Sequence, residues 1–270
     1  MRLTVVGCGT VVPEADRACS AYYVERGATR ALLDCGSGAV QAMARLGLPW
    51  NGLSHLFLTH FHSDHVGSLP GLFFALRHGV HPPRTVDPLE VWGPPGTRAL
   101  FEGLSSALGD FFLEPGFPVS IREMVPGREV IAGDLVVTCR DMPHTPESIA
   151  LRVAYPSGEP ALVYTGDTGP DEGLADFCRD VDLLVGECSL PDDLVGDNHL
   201  SPSRLARLAS RARARRVVAT HVYPQVRHAT DVAALIRESG YAGPVELASE
   251  GLTVDLQSSP PTHFSSERGS

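Results

Sequence analysis

The segment Leu58-Thr59-His60-Phe61-His62-Ser63-Asp64-His65 places three imidazoles and one carboxylate within six consecutive residues, directly after an apolar run. Imidazole and carboxylate together suit a first-row divalent metal, and an open position on such a metal separates a catalytic site from a structural one. On an extended segment His60 and His62 share a face, while a tight turn after them can direct Asp64 and His65 to a neighbouring point. Two adjacent ligand sets follow from that spacing. The alternative is a polar turn of solvated histidines, which leaves the crowding without a purpose because imidazoles are poor turn formers.

Three further candidates stand where later apolar runs end: His144 after residues 135–140, Asp167 in Tyr164-Thr165-Gly166-Asp167-Thr168, and His221 in Ala219-Thr220-His221. Strand ends on one edge of a sheet are where loops converge into a site. Taken singly, each of these residues reads as an ordinary hydrogen-bonded loop residue; taken with the first cluster, they read as one site.

The elements that must bring them together are legible in the periodicity. Strand-like runs occupy residues 3–6, 21–25, 31–33 and 56–58, with a helix over 39–46 that Gly47 and Pro49 end. A helix follows near 69–77, then a strand over 89–92 inside the proline-rich stretch 81–95, then a helix over 97–108. Runs at 119–124, 129–131, 135–140, 148–154 and 161–164 come close together and are expected to form a second sheet. The final third alternates helices at 172–178, 203–213 and 231–238 with strands at 183–185, 217–219 and 245–247; Ser201-Pro202 suits an N-cap followed by Pro at N1. The pattern predicts an α/β chain of one domain over residues 1–259. Two mixed sheets pack face to face with helices outside, making four layers, and residues 260–270 form a polar, flexible tail.

Composition bounds the rest. A chain of 270 residues with 43% hydrophobic and 20% charged content is long enough for one large core or two small ones. Its net charge of −10 repels polyanions, so a nucleic-acid partner needs a local basic patch. The run Arg211-Ala212-Arg213-Ala214-Arg215-Arg216 is the one such segment, and it ends a predicted helix, where cations complement the macrodipole. No apolar run reaches the ~18 residues of a membrane span, and the N-terminus lacks the apolar stretch of a signal peptide. Six cysteines without a C-x-x-C pair read as reduced, packed thiols, so a cytoplasmic protein without a membrane partner is expected.

His60, His62, Asp64 and His65 match the H-x-H-x-D-H signature, and through most of its length the chain resembles the metallo-β-lactamase-fold hydrolases. Within them, residues 5–10, 32–38, 164–168, 198–203 and 219–221 are most similar to the ribonuclease Z group and its cyclic phosphodiesterase relatives. The resemblance implies an αββα sandwich holding two divalent ions, zinc as first choice and manganese as second. It implies His60, His62 and His144 on one ion, Asp64, His65 and His221 on the other, and Asp167 bridging them. His199, in Asp197-Asn198-His199-Leu200-Ser201, matches a histidine of these phosphodiesterases that is not a ligand. Water activated by the metals would attack phosphorus, Asp64 could also steer that water, and His199 would stabilise or protonate the leaving oxygen. Glu187 is a candidate carboxylate for orienting a ligand imidazole. A homodimer is the family expectation.

The substrate expected first is a small-molecule or nucleotide phosphodiester. The alternatives are a carboxylic or sulfuric ester, such as a lactone, β-lactam or aryl sulfate, and ribonuclease Z-like processing of RNA 3′ ends. Ribonuclease Z proper carries a long arm for transfer RNA between the motifs of His144 and Asp167; here Thr145 to Gly166 has room only for two strands and a turn, so long RNA is not the expected partner. Cyclic phosphodiesterases of the phosphonate pathway hold an extra zinc with N-terminal cysteines at a spacing that Cys8 and Cys19 do not reproduce. Phe73-Phe74 and Phe111-Phe112-Leu113 are expected to serve core packing rather than a pocket wall or dimer contact.

Overall fold

The computed structural model describes residues 1–80 and 88–257; part of the proline-rich stretch, at 81–87, and the tail expected from residue 260 lie outside the described residues. The first sheet begins with β1 (Arg2–Gly7), β2 (Ala21–Arg26) and β3 (Thr29–Leu33), an antiparallel meander. Arg26 pairs with Thr29 across a two-residue turn in which Gly27 takes a positive φ of 54°, the conformation that tight hairpins ask of glycine. Parallel strands β4 (His55–Phe57), β5 (Leu89–Gly93) and β6 (Val119–Glu123) continue the sheet. Helices α1 (Ala39–Arg45), α2 (Ser63–Val66), α3 (Leu69–His78) and α4 (Thr97–Leu108) supply the crossovers on its outer face.

The second sheet repeats that plan. Strands β7 (Val130–Ala132), β8 (Leu135–Asp141), β9 (Ile149–Ala154) and β10 (Pro160–Tyr164) run antiparallel. Then β11 (Leu183–Glu187), β12 (Val217–Thr220) and β13 (Val245–Leu247) run parallel to β10. β11 is buried along its whole length, as a parallel strand covered on both faces must be. Helices α5 (Leu174–Phe177), α6 (Pro202–Ala212), α7 (Pro224–Ala229) and α8 (Val232–Glu238) cover the outer face. On α6 the Ser201 side chain caps the Arg204 N–H, and Leu205, Leu208, Ala209 and Ala212 turn inward at helical spacing. The chain then returns to the first sheet as β14 (Thr253–Asp255), antiparallel to β1.

Three apolar layers hold the four-layer αββα sandwich. Leu33, Phe57 and Tyr22 meet Val153, Tyr164 and Val185 between the sheets, while separate clusters pack α1, α3 and α4 on the first sheet and α5, α6 and α8 on the second. Phe73 and Phe112 are buried in this packing, with rings stacked at 5.6 Å, whereas Phe74 and Leu113 remain exposed. In the basic run, Arg213 and Arg215 pair with Asp180 and Asp182 ahead of β11, on a surface where such pairs add little stability.

One strand belongs elsewhere than its sequence neighbourhood suggests. The run at 119–124 is β6 and lies on the edge of the first sheet, because α4 carries the chain back over that sheet to pair Val91 with Ile121. A succession of strand-like runs does not mark where one sheet stops. The short elements α7 and β14 were not expected: β14 buries only Val254, too little to make an alternating pattern.

The exit of β3 is stitched to the α2 turn by Cys35 N–H donating to the His65 carbonyl and Ser68 N–H donating to the Cys35 carbonyl. Next to them, a Cβ on Gly36 would lie 2.1 Å from the Asp64 carbonyl oxygen and 2.8 Å from that of Ser20. Gly36→Ala should therefore displace α2 and cost ~1–3 kcal/mol of unfolding free energy, seen as a lower urea midpoint; a wild-type midpoint would mean the turn tolerates the extra methyl.

Candidate metal centre

All seven candidate ligands stand at one end of the two facing sheets. His60 and His62 lie on the extended exit of β4, and the four-residue α2 turns Asp64 and His65 back towards them. His144 lies between β8 and β9, Asp167 follows β10, and His221 follows β12 with a positive φ of 54° that re-aims its ring. The Nε2 atoms of His60 and His144 lie 3.2 and 3.1 Å from His62 Nδ1. Asp64 Oδ2 lies 3.2 Å from His221 Nε2. Asp167 reaches both groups: Oδ1 is 3.3 Å from His65 Nε2, and Oδ2 is 3.4 Å from His221 Nε2 and 3.8 Å from His144 Nε2.

Hydrogen bonds on the outer side of the His60, His65, His144 and His221 rings turn their Nε2 atoms inward, whereas His62 presents Nδ1. His65 Nδ1–H donates to Asp34 Oδ2 at 2.7 Å and His144 Nδ1–H to the Asn198 carbonyl at 2.9 Å. His60 Nδ1 meets Thr59 Oγ1 and His221 Nδ1 meets Ser189 Oγ, each at 3.1 Å; both hydroxyls are already donating to carboxylates, so they accept from the rings. With Nδ1 protonated, Nε2 of a neutral ring points a lone pair at the centre. Burial holds His60 far below the ordinary histidine range, helped by the neighbouring rings, so it stays neutral. Burial likewise lowers His144.

This geometry fits a cation. Donor atoms about 2.0–2.1 Å from a tetrahedral zinc lie a little over 3 Å from one another, the spacing that His60, His62 and His144 show. His65 Nε2 and Asp167 Oδ1 are buried without a hydrogen-bond partner, an arrangement that a shared ion completes. Burial disfavours the charged forms of Asp64 and Asp167, yet the surrounding imidazoles outweigh it and keep both below the usual carboxylate range. Among the described residues, no arginine pairs with Asp34, Asp64, Asp167 or Glu187.

His199 stands beside the ligand groups, its ring 4.9 Å from that of His144 and 5.8 Å from that of His221. Its Nδ1–H donates to buried Glu187 Oε1 at 2.9 Å. Burial pulls the His199 pKa down, but the hydrogen bond and charge of Glu187, with Asp167 and Asp64 beyond, carry it above the ordinary value. Glu187 also accepts from Thr168 N–H, Ser189 N–H and the Ser189 hydroxyl, which links it to His221. Arg204 donates to the Gly196 and His199 carbonyls and fixes the loop that carries His199. The cleft, about 280 Å³, is lined by His62, Asp64, His144, Asp167, His199 and His221, with Val11, Asn198 and Tyr223 at its edges.

The seven candidate ligands, His199 and Glu187 thus meet here. Asp34, Thr59, Tyr164 and Ser189 were missed. Asp34 accepts from Thr59 N–H, Thr59 Oγ1, Tyr164 OH and His65 Nδ1. Its one signal is Asp34-Cys35-Gly36 at a strand end, where the aspartate takes a positive φ of 58°. Cys8 packs against Arg17 and the Ala248 carbonyl, and Cys19 donates to the Thr10 carbonyl; among the described residues neither joins a ligand group.

A profile of the β-lactamase superfamily domain matches residues 29–222. An uncharacterised protein of Mycobacterium leprae is 33% identical, covering 95% of this chain and 89% of its own length. A ribonuclease Z of Haloferax volcanii is 30% identical, covering 95% of each chain. The metallo-β-lactamase fold protein YhfI from Bacillus subtilis is 25% identical with a TM-score of 0.78, covering 94% of this chain and 98% of that one.

Asp34 does not line the metal cleft, so its effect there must pass through His65 and Thr59. Asp34→Asn is expected to weaken divalent-cation affinity by ~10–100-fold in a chelator competition; undiminished affinity would show that His65 needs no such partner.

Proposed function

The chain belongs to the β-lactamase superfamily of metal-dependent hydrolases, and on that premise we propose that it is a phosphodiesterase for small-molecule or nucleotide esters, working with two divalent ions. His60, His62 and His144 would hold one ion and Asp64, His65 and His221 the other, and the Asp167 carboxylate lies within reach of both groups. Such ions supply a nucleophile at neutral pH and neutralise charge that develops on the phosphoryl oxygens. Asp64, buried and ionised at the cleft wall, also orients the attacking water. His199 gives a proton to the leaving oxygen, and Glu187 keeps it charged and aimed for that step.

The observation that carries this reading is the placement of His199 beside both ligand groups, with Nδ1 taken by Glu187 and Nε2 without a hydrogen-bond partner among the described residues. An acid at the cleft assists departure of an alkoxide, which leaves poorly without a proton.

A second reading, processing of RNA 3′ ends, draws on the identity to the Haloferax ribonuclease Z. Against it, the alignment spans 311 positions, more than the 270 residues of this chain, so the relative carries insertions that are missing here. Between His144 and Asp167 the chain has only β9, β10 and the turn that joins them. Cleavage of a precursor transfer RNA with a 3′ trailer at a rate above that of small diesters would reverse the order. The family resemblance adds zinc in preference to manganese and a homodimer, and the cysteine usage adds a cytoplasmic location. Metal analysis of the purified protein and its sedimentation measure the first two.

Zinc- or manganese-loaded protein is expected to hydrolyse bis(p-nitrophenyl) phosphate. His199→Ala should retain both ions while its rate falls by ~100-fold or more on a diester with an alkoxide leaving group, and by less on the p-nitrophenyl ester, whose leaving group departs without a proton. Asp167→Ala should lose both ions; if two stay tightly bound, Asp167 is not the bridge. A wild-type protein that binds two ions and leaves the diester intact would redirect the search to lactones, β-lactams and aryl sulfates.

A further inference from the structure

Beside the metal cleft lies a second cavity of about 370 Å³, which shares Val11, Ser63 and Asp64 with it. The volume is within the ~300–1,000 Å³ range of small-molecule pockets. One wall is the loop after β1, carrying Val11 and Pro13; the opposite wall is α1, carrying Gln41 and Arg45 one turn apart.

The loop wall is fixed in place. Gly9 N–H donates to the Ala18 carbonyl, Cys19 N–H to the Ser37 carbonyl, and Glu14 pairs with both Arg17 and Arg227. Val11 nevertheless leaves 58% of its surface exposed, an apolar face held open at the junction of the two cavities. The cations on the walls are committed: Arg17 to Cys8 Sγ and the Ala248 carbonyl, Arg45 to Glu250 at 2.8 Å. Gln41, exposed on α1, makes no hydrogen bond or ion pair within the described residues, so its amide offers both a donor and an acceptor to a ligand.

A site with apolar flanks, committed charges and one free amide suits a flat neutral group with a hydrogen-bonding edge, and it adjoins the place assigned to the phosphoryl group. We propose that this cavity binds the base of a nucleotide phosphodiester, with Val11 and Pro13 against the ring face and the Gln41 amide on the polar edge. The proposal rests on the phosphodiesterase reading and names the substrate class: nucleotide esters are preferred to esters of simple alcohols.

The test uses two esters with the same leaving group, thymidine 5′-(p-nitrophenyl phosphate) and methyl p-nitrophenyl phosphate, on metal-loaded protein. The nucleotide ester should be favoured by roughly 100-fold in kcat/KM. Gln41→Ala should raise KM for the nucleotide ester by about 10-fold, the size of one hydrogen bond, and leave the methyl ester unchanged. Equal rates on the two esters, or a Gln41 variant that slows both alike, overturn the base site while the phosphodiesterase reading stands. If neither ester is cleaved, that reading falls, and equilibrium dialysis of thymidine 5′-monophosphate decides the cavity: binding weakened about 10-fold by Gln41→Ala sustains it, and absent or unaltered binding overturns it.

Discussion

The fold and the site meet at the carboxylate of Asp34. It is wholly buried, and it accepts four hydrogen bonds, from the backbone and hydroxyl of Thr59, the phenol of Tyr164 and the imidazole of His65. A carboxylate in an apolar interior is costly unless such donors surround it. Those donors come from the exit of β4, from α2 and from β10, so the requirement of one buried group ties both sheets and the ligand turn together. The Tyr164 ring, 4.6 Å from that of Tyr22 in the inter-sheet core, cannot move without breaking the same bond.

The centre itself is organised by which atoms face outward. Rings of four histidines give their Nδ1 protons to Asp34, Thr59, Asn198 and Ser189, so protein groups consume the donors and leave the acceptors facing inward. Burial lowers the His65 pKa, but the carboxylates of Asp167 and Asp34 outweigh it and carry it well above the ordinary histidine range, so this ring holds a proton beside the acceptors. A divalent cation seated there would displace that proton, which links metal binding to pH and to stability.

Much of this was legible in the sequence because metal ligands are rare residue types set against a plain background. His60, His62, Asp64 and His65 announce themselves by density, and His144, Asp167 and His221 by following apolar runs. Glu187, which bonds His199 directly and reaches His221 through the Ser189 hydroxyl, was legible as a candidate for orienting a ligand imidazole. Asp34 was not, because its role depends on three partners that lie 25, 31 and 130 residues away. Ser189 escaped for a similar reason: a serine after a strand end is ordinary until its hydroxyl is seen between Glu187 and two histidines. Sheet membership failed at residues 119–123 because pairing is a property of the crossover helix α4, and a local pattern carries no record of the strand to which the chain returns.

The repeated plan of the two sheets has a mechanical side. The first contributes His60, His62, Asp64 and His65 at the end of β4, and the second contributes His144, Asp167 and His221 at the ends of β8, β10 and β12. The two groups that include His199 lie in the second half alone, whereas the group of His60, His62 and His144 and the group of Asp64, His65, Asp167 and His221 each straddle the joint between the halves. A cation seated there acts as a rivet through two plates, opposing any sliding of one sheet over the other. Rigidity of the joint between the sheets and occupancy of the centre would then be one property.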